Sequence, residues 1–263
     1  MRKSSREHRV QEAIDWCEKV NALYAGSIKQ SIDGTKVYDG ECSVEETGVT
    51  QKIVVRADDT ATAVMETTND DEKVIVLNFA SFKHPGGGFR SGSMAQEESL
   101  CHHSTLYPVI NSFKSFYEDN LAQVNRGLYA DRALYSPDIV FIDGGDGYCR
   151  EKRCGVITCA APNKTNWLKF NSFTEEENRK ALESRIEFVL RIAVAEGADT
   201  LVLGAFGCGV FKQDPKEVAE IFKEGLKRYR FKKVIFAIPR GRNGEDKNLE
   251  VFQDVFKDWK EKD

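Results

Sequence analysis

Residues 74–107 read VIVLNFASFKHPGGGFRSGSMAQEESLCHHSTLY, and what this stretch means decides how the rest of the chain is laid out. Val74 to Leu77 is an unbroken, largely β-branched apolar run, the pattern of a strand buried on both faces. It leads into Asn78, and Pro85 then precedes three consecutive glycines, Gly86, Gly87 and Gly88. Without a Cβ these residues reach conformations closed to others, so their N–H groups can line up as an anion-binding nest. Seven residues later stand Gln96, Glu97 and Glu98. Adjacent carboxylates behind a phosphate-type loop repel each other and a phosphate, which makes an acid–base role easier to defend than a structural one.

Upstream, Val10, Ala13, Ile14, Cys17, Val20 and Tyr24 recur at a helical period, so residues 5–25 form an amphipathic helix docked on the core. Residues 26–48 are polar and rich in Gly, Ser and Asp, a loop or hairpin with a β-type run at 36–38. Residues 52–56, KIVVR, read as a strand, and 60–67 as a short helix capped by Asp58 or Asp59. Downstream, helices are expected over 99–107 and 112–120 with a turn at Pro108, then strands over 139–142 and 155–159. A helix over 175–196 starts at the capping box Thr174/Glu177 and stops at Gly197. A strand at 200–203, a helix opened by Asp214 and Pro215, a strand at 234–238 and a closing helix with Leu249, Phe252, Val255, Phe256 and Trp259 complete the chain.

Buried strands joined by helices imply an α/β fold, a three-layer α/β/α sandwich around a mixed, mainly parallel sheet, with an N-terminal helical extension. Ligands in such sheets sit beyond the carboxyl ends of the strands. A second glycine loop, Gly204 to Phe211, reads GAFGCGVF and also follows a strand directly, so both loops belong at that edge. Residues 1–50 are expected as a helix and polar segment packed on a catalytic domain of residues 51–263. With 41% hydrophobic and 30% charged residues the composition is that of a soluble globular protein, and no stretch approaches the ~20 apolar residues of a membrane span. The start, MRKSSREHRV, lacks the apolar core of a signal peptide, which points to a cytoplasmic protein. Seven cysteines at irregular positions suggest no disulfide framework. A net charge of −4 argues against general nucleic-acid binding, while backbone amides can still hold an anionic ligand.

The arrangement GGG, FRSGSMA, QEE resembles the signature of the poly(ADP-ribose) glycohydrolases, in the form of the bacterial-type members, and GAFGCGVF is similar to the second phosphate loop of the macrodomain fold they share. The resemblance covers roughly residues 52–260. It implies hydrolysis of the ribose–ribose O-glycosidic bonds of poly(ADP-ribose), with ADP-ribose as product and ADP-ribosylated protein as partner. It also implies exo cleavage, a choice the residues themselves leave open. By resemblance Glu98 is the acid–base group and Glu97 hydrogen-bonds ribose hydroxyls, its charge helping to keep a proton on Glu98. Asn78 and the Gly87 and Gly88 amides face the distal ribose and its phosphate, and Gln96 positions the neighbouring hydroxyl. Gly207, Cys208, Gly209 and Val210 wrap the diphosphate, and Phe211 stacks on the adenine or terminal ribose unless it is a core aromatic. Such chemistry needs an acid for the leaving oxygen and a base for water, which one carboxyl can supply in turn, and neither metal nor cofactor.

Two rival readings stand beside it. A non-catalytic ADP-ribose reader would use the glycine loops but has no need of paired glutamates, and a related hydrolase would act on mono-ADP-ribose or another NAD-derived linkage. A dinucleotide enzyme is disfavoured because GGG comes without GxGxxG. Other features read as structural. Cys101, His102 and His103 are adjacent and point to different faces of a helix. Cys149, Cys154 and Cys159 recur every five residues, with Cys159 in an apolar strand. The run from Asp143 to Asp146 and Gly147 is a tight turn lacking the glutamate of a calcium loop. Phe252 belongs to the core, Asn248 stays open, and Arg240 with Arg242 could contact a phosphate.

Overall fold

The structure, a computed structural model, describes residues 5–67, 72–145, 148–165, 172–241 and 246–260. Seven strands form one sheet: β1 (Lys36–Asp39), β2 (Lys52–Arg56), β3 (Val74–Phe79), β4 (Arg132–Gly145), β5 (Tyr148–Cys159), β6 (Thr200–Leu203) and β7 (Lys233–Ala237). Their order is β1-β4-β5-β3-β6-β7-β2, parallel from β5 through β2, with β4 and β1 antiparallel at one edge. The apolar run of residues 74–77 puts β3 in the centre, where every residue from Val74 to Asn78 is buried.

Strand alternation divides this run between two cores. Ile75 and Leu77 face one cluster, which they share with Leu182, Ile186 and Val189 from α6 (Glu175–Ala195), Val218 and Phe222 from α7 (Pro215–Gly225) and Phe252 from α8 (Lys247–Phe256). Val74 and Val76 face the other, against α1 (Ser5–Gly34), α2 (Thr60–Met65), α3 (Gln96–His102), α4 (Leu106–Ile110) and α5 (Lys114–Ala122). The result is the three-layer α/β/α sandwich. Each such core aliphatic, fully buried, contributes about 1.5–3 kcal/mol. Asn78 shares the parity of Val74 and Val76, so its side chain points toward α3. Among the described residues no helix is long and apolar enough to cross a membrane.

Local signals account for three of the helix starts. Asp59 caps α2 by accepting from Thr62 N–H at 3.0 Å, Thr174 and Glu177 form the capping box of α6, and Asp214 caps α7 with Pro215 in its first turn. Three expectations are corrected. The first helix does not stop at 25 but bends at Tyr24 (φ −121°) and runs on to Gly34. Its polar second half is held by Ile28, which is buried, and by Ser31 Oγ donating to Pro137 O at 2.6 Å. Strands β4 and β5 form one long antiparallel hairpin, not two short strands. Pro137, Asp138 at φ +54° and a register shift between Ser136 and Ile139 interrupt the apolar pattern that would have revealed it. Pro108 lies inside α4, in the first turn, where a missing N–H costs nothing.

Candidate active site

Helix α3 begins at the carboxyl end of β3, and Gln96 ties the two together. Its Oε1 accepts from Phe79 N–H at 2.9 Å while its Nε2 donates to Leu77 O at 2.8 Å. That anchorage places Glu97 and Glu98 in the first turn of α3, both nearly buried, with relative exposures of 3% and 6%. Glu98 receives two main-chain donors, Gly88 N–H at 2.7 Å and Ala95 N–H at 2.9 Å. Ala95 has no side chain to return the bond, so Glu98 supplies one half of a capping box by itself. Glu97 turns inward, accepting from Ser81 N–H at 2.7 Å and from Asn78 Nδ2 at 3.2 Å. Burial pushes its carboxyl up to about 8, and the Glu98 charge pushes the same way, against the hydrogen bonds from Ser81, Asn78 and Gly86. The sequence reading coupled the two carboxylates by like-charge repulsion, and in this geometry the Glu98 charge adds to the upward push on Glu97.

The two glycine loops differ in where their amides point. At Gly86 and Gly87 φ is +70° and +57°, which folds the chain back over the start of α3. Gly87 N–H donates to His84 O at 3.0 Å, Gly88 N–H to Glu98, and Gly86 adds a backbone hydrogen bond to Glu97. Gly86 and Gly88 therefore hold the carboxylates while Gly87 closes the turn on His84, a correction to the open anion nest. A Cβ on Gly87 would lie 2.7 Å from Glu98 Oε1 and 2.9 Å from Glu97 Oε2. In the second loop Gly207 has φ +76°, and a Cβ there would meet Ala161 at 2.8 Å. Among the described residues the amides of Gly207, Gly209, Val210 and Phe211 have no acceptor, and Val210 is 70% exposed. This loop is the one that offers N–H groups outward.

The second glycine loop and the start of α3 border a cleft of about 1050 Å³. Glu98, Gln96 and Gly207 to Phe211 line it, whereas Glu97, Asn78 and Gly86 to Gly88 do not. Asn78, expected to face a ribose, is fully buried with Nδ2 on Glu97 and on Thr158 Oγ1 at 3.3 Å, so it positions Glu97 instead. Phe211 is half-buried, edge-on to Tyr129 with centroids 6.1 Å apart, and lines the cleft as well. Phe252 is fully buried, and Asn248 reaches the cleft.

Sequence reasoning missed the wall made by α1, where Arg9, Glu12 and Trp16 border the cleft. Only the amphipathic period of that helix hinted that it docks. It also missed Asp59, Thr60, Ile238 and Pro239 at the strand ends, and Met94, His102 and His103 around α3. Cys101 is buried, His102 half-buried edge-on to Phe89, and His103 exposed, three different surroundings for adjacent residues. Cys154 and Cys159 are buried, the side chain of Cys149 and residues Asp146 and Gly147 lie outside the described residues, and so does Arg242. Arg240 pairs with Asp246 at 2.8 Å. A second cavity, about 980 Å³, lies among the charged outer faces of α6, α7 and α8 and contains none of these residues.

The comparisons agree with one another. The family described as microbial-type PARG, catalytic domain, matches residues 10–143. A crystal structure of poly(ADP-ribose) glycohydrolase from Thermomonospora curvata bound to the inhibitor ADP-HPD is 32% identical, covers 95% of this chain and 100% of its own, and superposes with a TM-score of 0.85. Another structure of the T. curvata protein gives 30% identity, the same coverage and a TM-score of 0.82. The Deinococcus radiodurans protein in complex with ADP-ribose is 29% identical over 88% of this chain and 97% of its own, with a TM-score of 0.78. No curated protein matches the sequence.

Proposed function

This chain belongs to the microbial-type poly(ADP-ribose) glycohydrolases, and from that premise we propose how its cleft does the work. The enzyme hydrolyses the ribose–ribose O-glycosidic bonds of poly(ADP-ribose) and releases ADP-ribose. The outward amides of Gly207, Gly209, Val210 and Phe211 hold the diphosphate of the bound unit, with the Phe211 ring packed beside its ribose. Glu98, in its acid form, gives a proton to the bridging oxygen as the C–O bond breaks toward an oxocarbenium ion. The resulting carboxylate then takes a proton from the water that adds to the sugar carbon, which regenerates the acid. Glu97 acts one step back, fixing the glycine turn that fixes Glu98. The enzyme works from the polymer end, in the cytoplasm, on chains carried by ADP-ribosylated protein.

One observation carries this reading: of the two glutamates, Glu98 is the one in the cleft wall, pinned by two main-chain N–H groups beside a loop of outward amides. The test is release of ADP-ribose from poly- and mono-ADP-ribosylated protein by the native chain and by Glu98→Gln. Turnover on polymer should fall roughly a hundred-fold or more while ADP-ribose affinity stays within a few-fold, because the substitution removes proton transfer and little binding. Monomeric ADP-ribose should be the sole early product. Early oligomers would refute exo cleavage, and a fully active Glu98→Gln would refute the acid–base assignment. Tight ADP-ribose binding with no release from either substrate would leave a reader in place of an enzyme.

A further inference from the structure

We infer that the groove between α1 and α3 is the leaving-group subsite, and that it takes the adenosine 5′-diphosphate portion of the next polymer unit. The inference rests on the glycohydrolase reading above. The bond cleaved joins the sugar carbon of one unit to a ribose hydroxyl oxygen of the next unit's adenosine, so what departs past Glu98 is a nucleoside bearing a diphosphate. Such a group calls for a π face and a cation on the far side of the scissile bond.

Helix α1 supplies both. It is bonded directly to the segment that carries Glu98: Arg6 Nε donates to Ser91 O at 3.0 Å, Arg9 Nε to Gly92 O at 2.7 Å and Trp16 Nε1 to Ser104 O at 3.1 Å. Packing is close enough that a Cβ on Gly92 would stand 2.8 Å from Arg6 O. Arg9 uses only Nε in this anchorage. Among the described residues its guanidinium has no carboxylate partner, and the side chain lines the cleft half-buried. Trp16, half-buried, lines the same cleft as His102 on α3 and His103 just beyond it, with Lys19 Nζ 5.5 Å from its ring centroid. On the second glycine loop, Gly207 packs instead on Ala161 and Gln213. The cleft thus borders the amides of one loop and, on α1, the Arg9 guanidinium, and its volume of about 1050 Å³ lies at the upper end of what small-ligand pockets span. Glu12, exposed on the α1 wall one helical turn from Arg9, also lies 3.3 Å from His8 Nε2, and among the described residues it is the carboxylate of α1 that lines the cleft.

The test compares kcat/KM on poly(ADP-ribose) with kcat/KM on an aryl glycoside of ADP-ribose, whose leaving group carries no nucleotide. For Arg9→Ala the ratio of polymer to aryl glycoside should fall about tenfold, through KM, as expected for loss of one charge-assisted contact to a phosphate. For Glu12→Lys it should rise about threefold, in keeping with a partly exposed charge. If Arg9→Ala lowers both substrates equally, Arg9 serves only the Gly92 carbonyl and the subsite is refuted. If Glu12→Lys leaves the ratio unmoved or lowers it, the subsite is refuted as well. A native chain that binds ADP-ribose but cleaves neither substrate refutes the glycohydrolase reading and the subsite with it, an outcome distinct from an active enzyme with unmoved ratios.

Discussion

Replacing Gly87 with alanine should damage stability and turnover together, and the size follows from its position. At φ +57° an L-residue carries a backbone cost of about 1–2 kcal/mol. The new Cβ would also stand 2.7 Å from Glu98 Oε1 and 2.9 Å from Glu97 Oε2, well inside contact distance. Neither oxygen is a loose end: Glu98 Oε1 is held by Gly88 N–H and Glu97 Oε2 by Ser81 N–H, each at 2.7 Å. Moving them stretches two hydrogen bonds of the kind that contribute about 1.5–3 kcal/mol each. With partial loss of both, the total comes to about 3–5 kcal/mol, or a melting temperature lower by roughly 8–15 °C for a chain of this size. Displacing Glu98 by about an ångström should cost turnover on the order of a hundred-fold. Gly209→Ala is the matched control, because a Cβ there meets nothing within 4 Å and its φ lies outside the left-handed region. Its melting temperature should stay within about 1 °C of the native one. Thermal melts and polymer turnover of the two variants decide the matter. A Gly87→Ala enzyme that melts like the native one and turns over normally would show that the glycine turn does not hold the carboxylates.

Glu97→Gln tests the buried carboxyl through pH. With its folded pKa at about 8 against an ordinary 4.5, Glu97 contributes stability that is fully present below about 4.5 and lost as pH rises through about 8. The native melting temperature should therefore drop relative to that of Glu97→Gln between about pH 5 and 9, and parallel curves would disprove the shift. Gly209→Pro removes one outward amide, so ADP-ribose should bind about tenfold more weakly, while Gly209→Ala keeps native affinity; equal affinity in both would place the diphosphate elsewhere.

What the sequence revealed, and what it hid, has a physical pattern. Strands β3 and β6 announce themselves because both their faces are buried, and the caps at Asp59, Thr174 and Asp214 are local chemistry that any reader of the chain can see. The β4–β5 hairpin was hidden because one bulge and a charged run from Arg150 to Arg153 break its alternation. The α1 wall was hidden for another reason: amphipathicity shows that a helix docks, not against what. At the site, the residue types were legible and the amide directions were not. Glycine leaves φ and ψ free, so GGG alone is compatible with N–H groups turned to a ligand or turned inward. The partner decides it: Glu98, ten residues beyond Gly88, captures that amide, and Gly87 can pass over the two carboxylates only because it has no Cβ. The glycines and the glutamates are therefore one structural unit, and the spacing between them is what the chain specifies. After GAFGCGVF the carboxylates at the same spacing are Asp214 and Glu217, but Asp214 is taken up in capping α7, where it accepts from Lys216 and Glu217 N–H, so no carboxylate among the described residues captures the loop's amides.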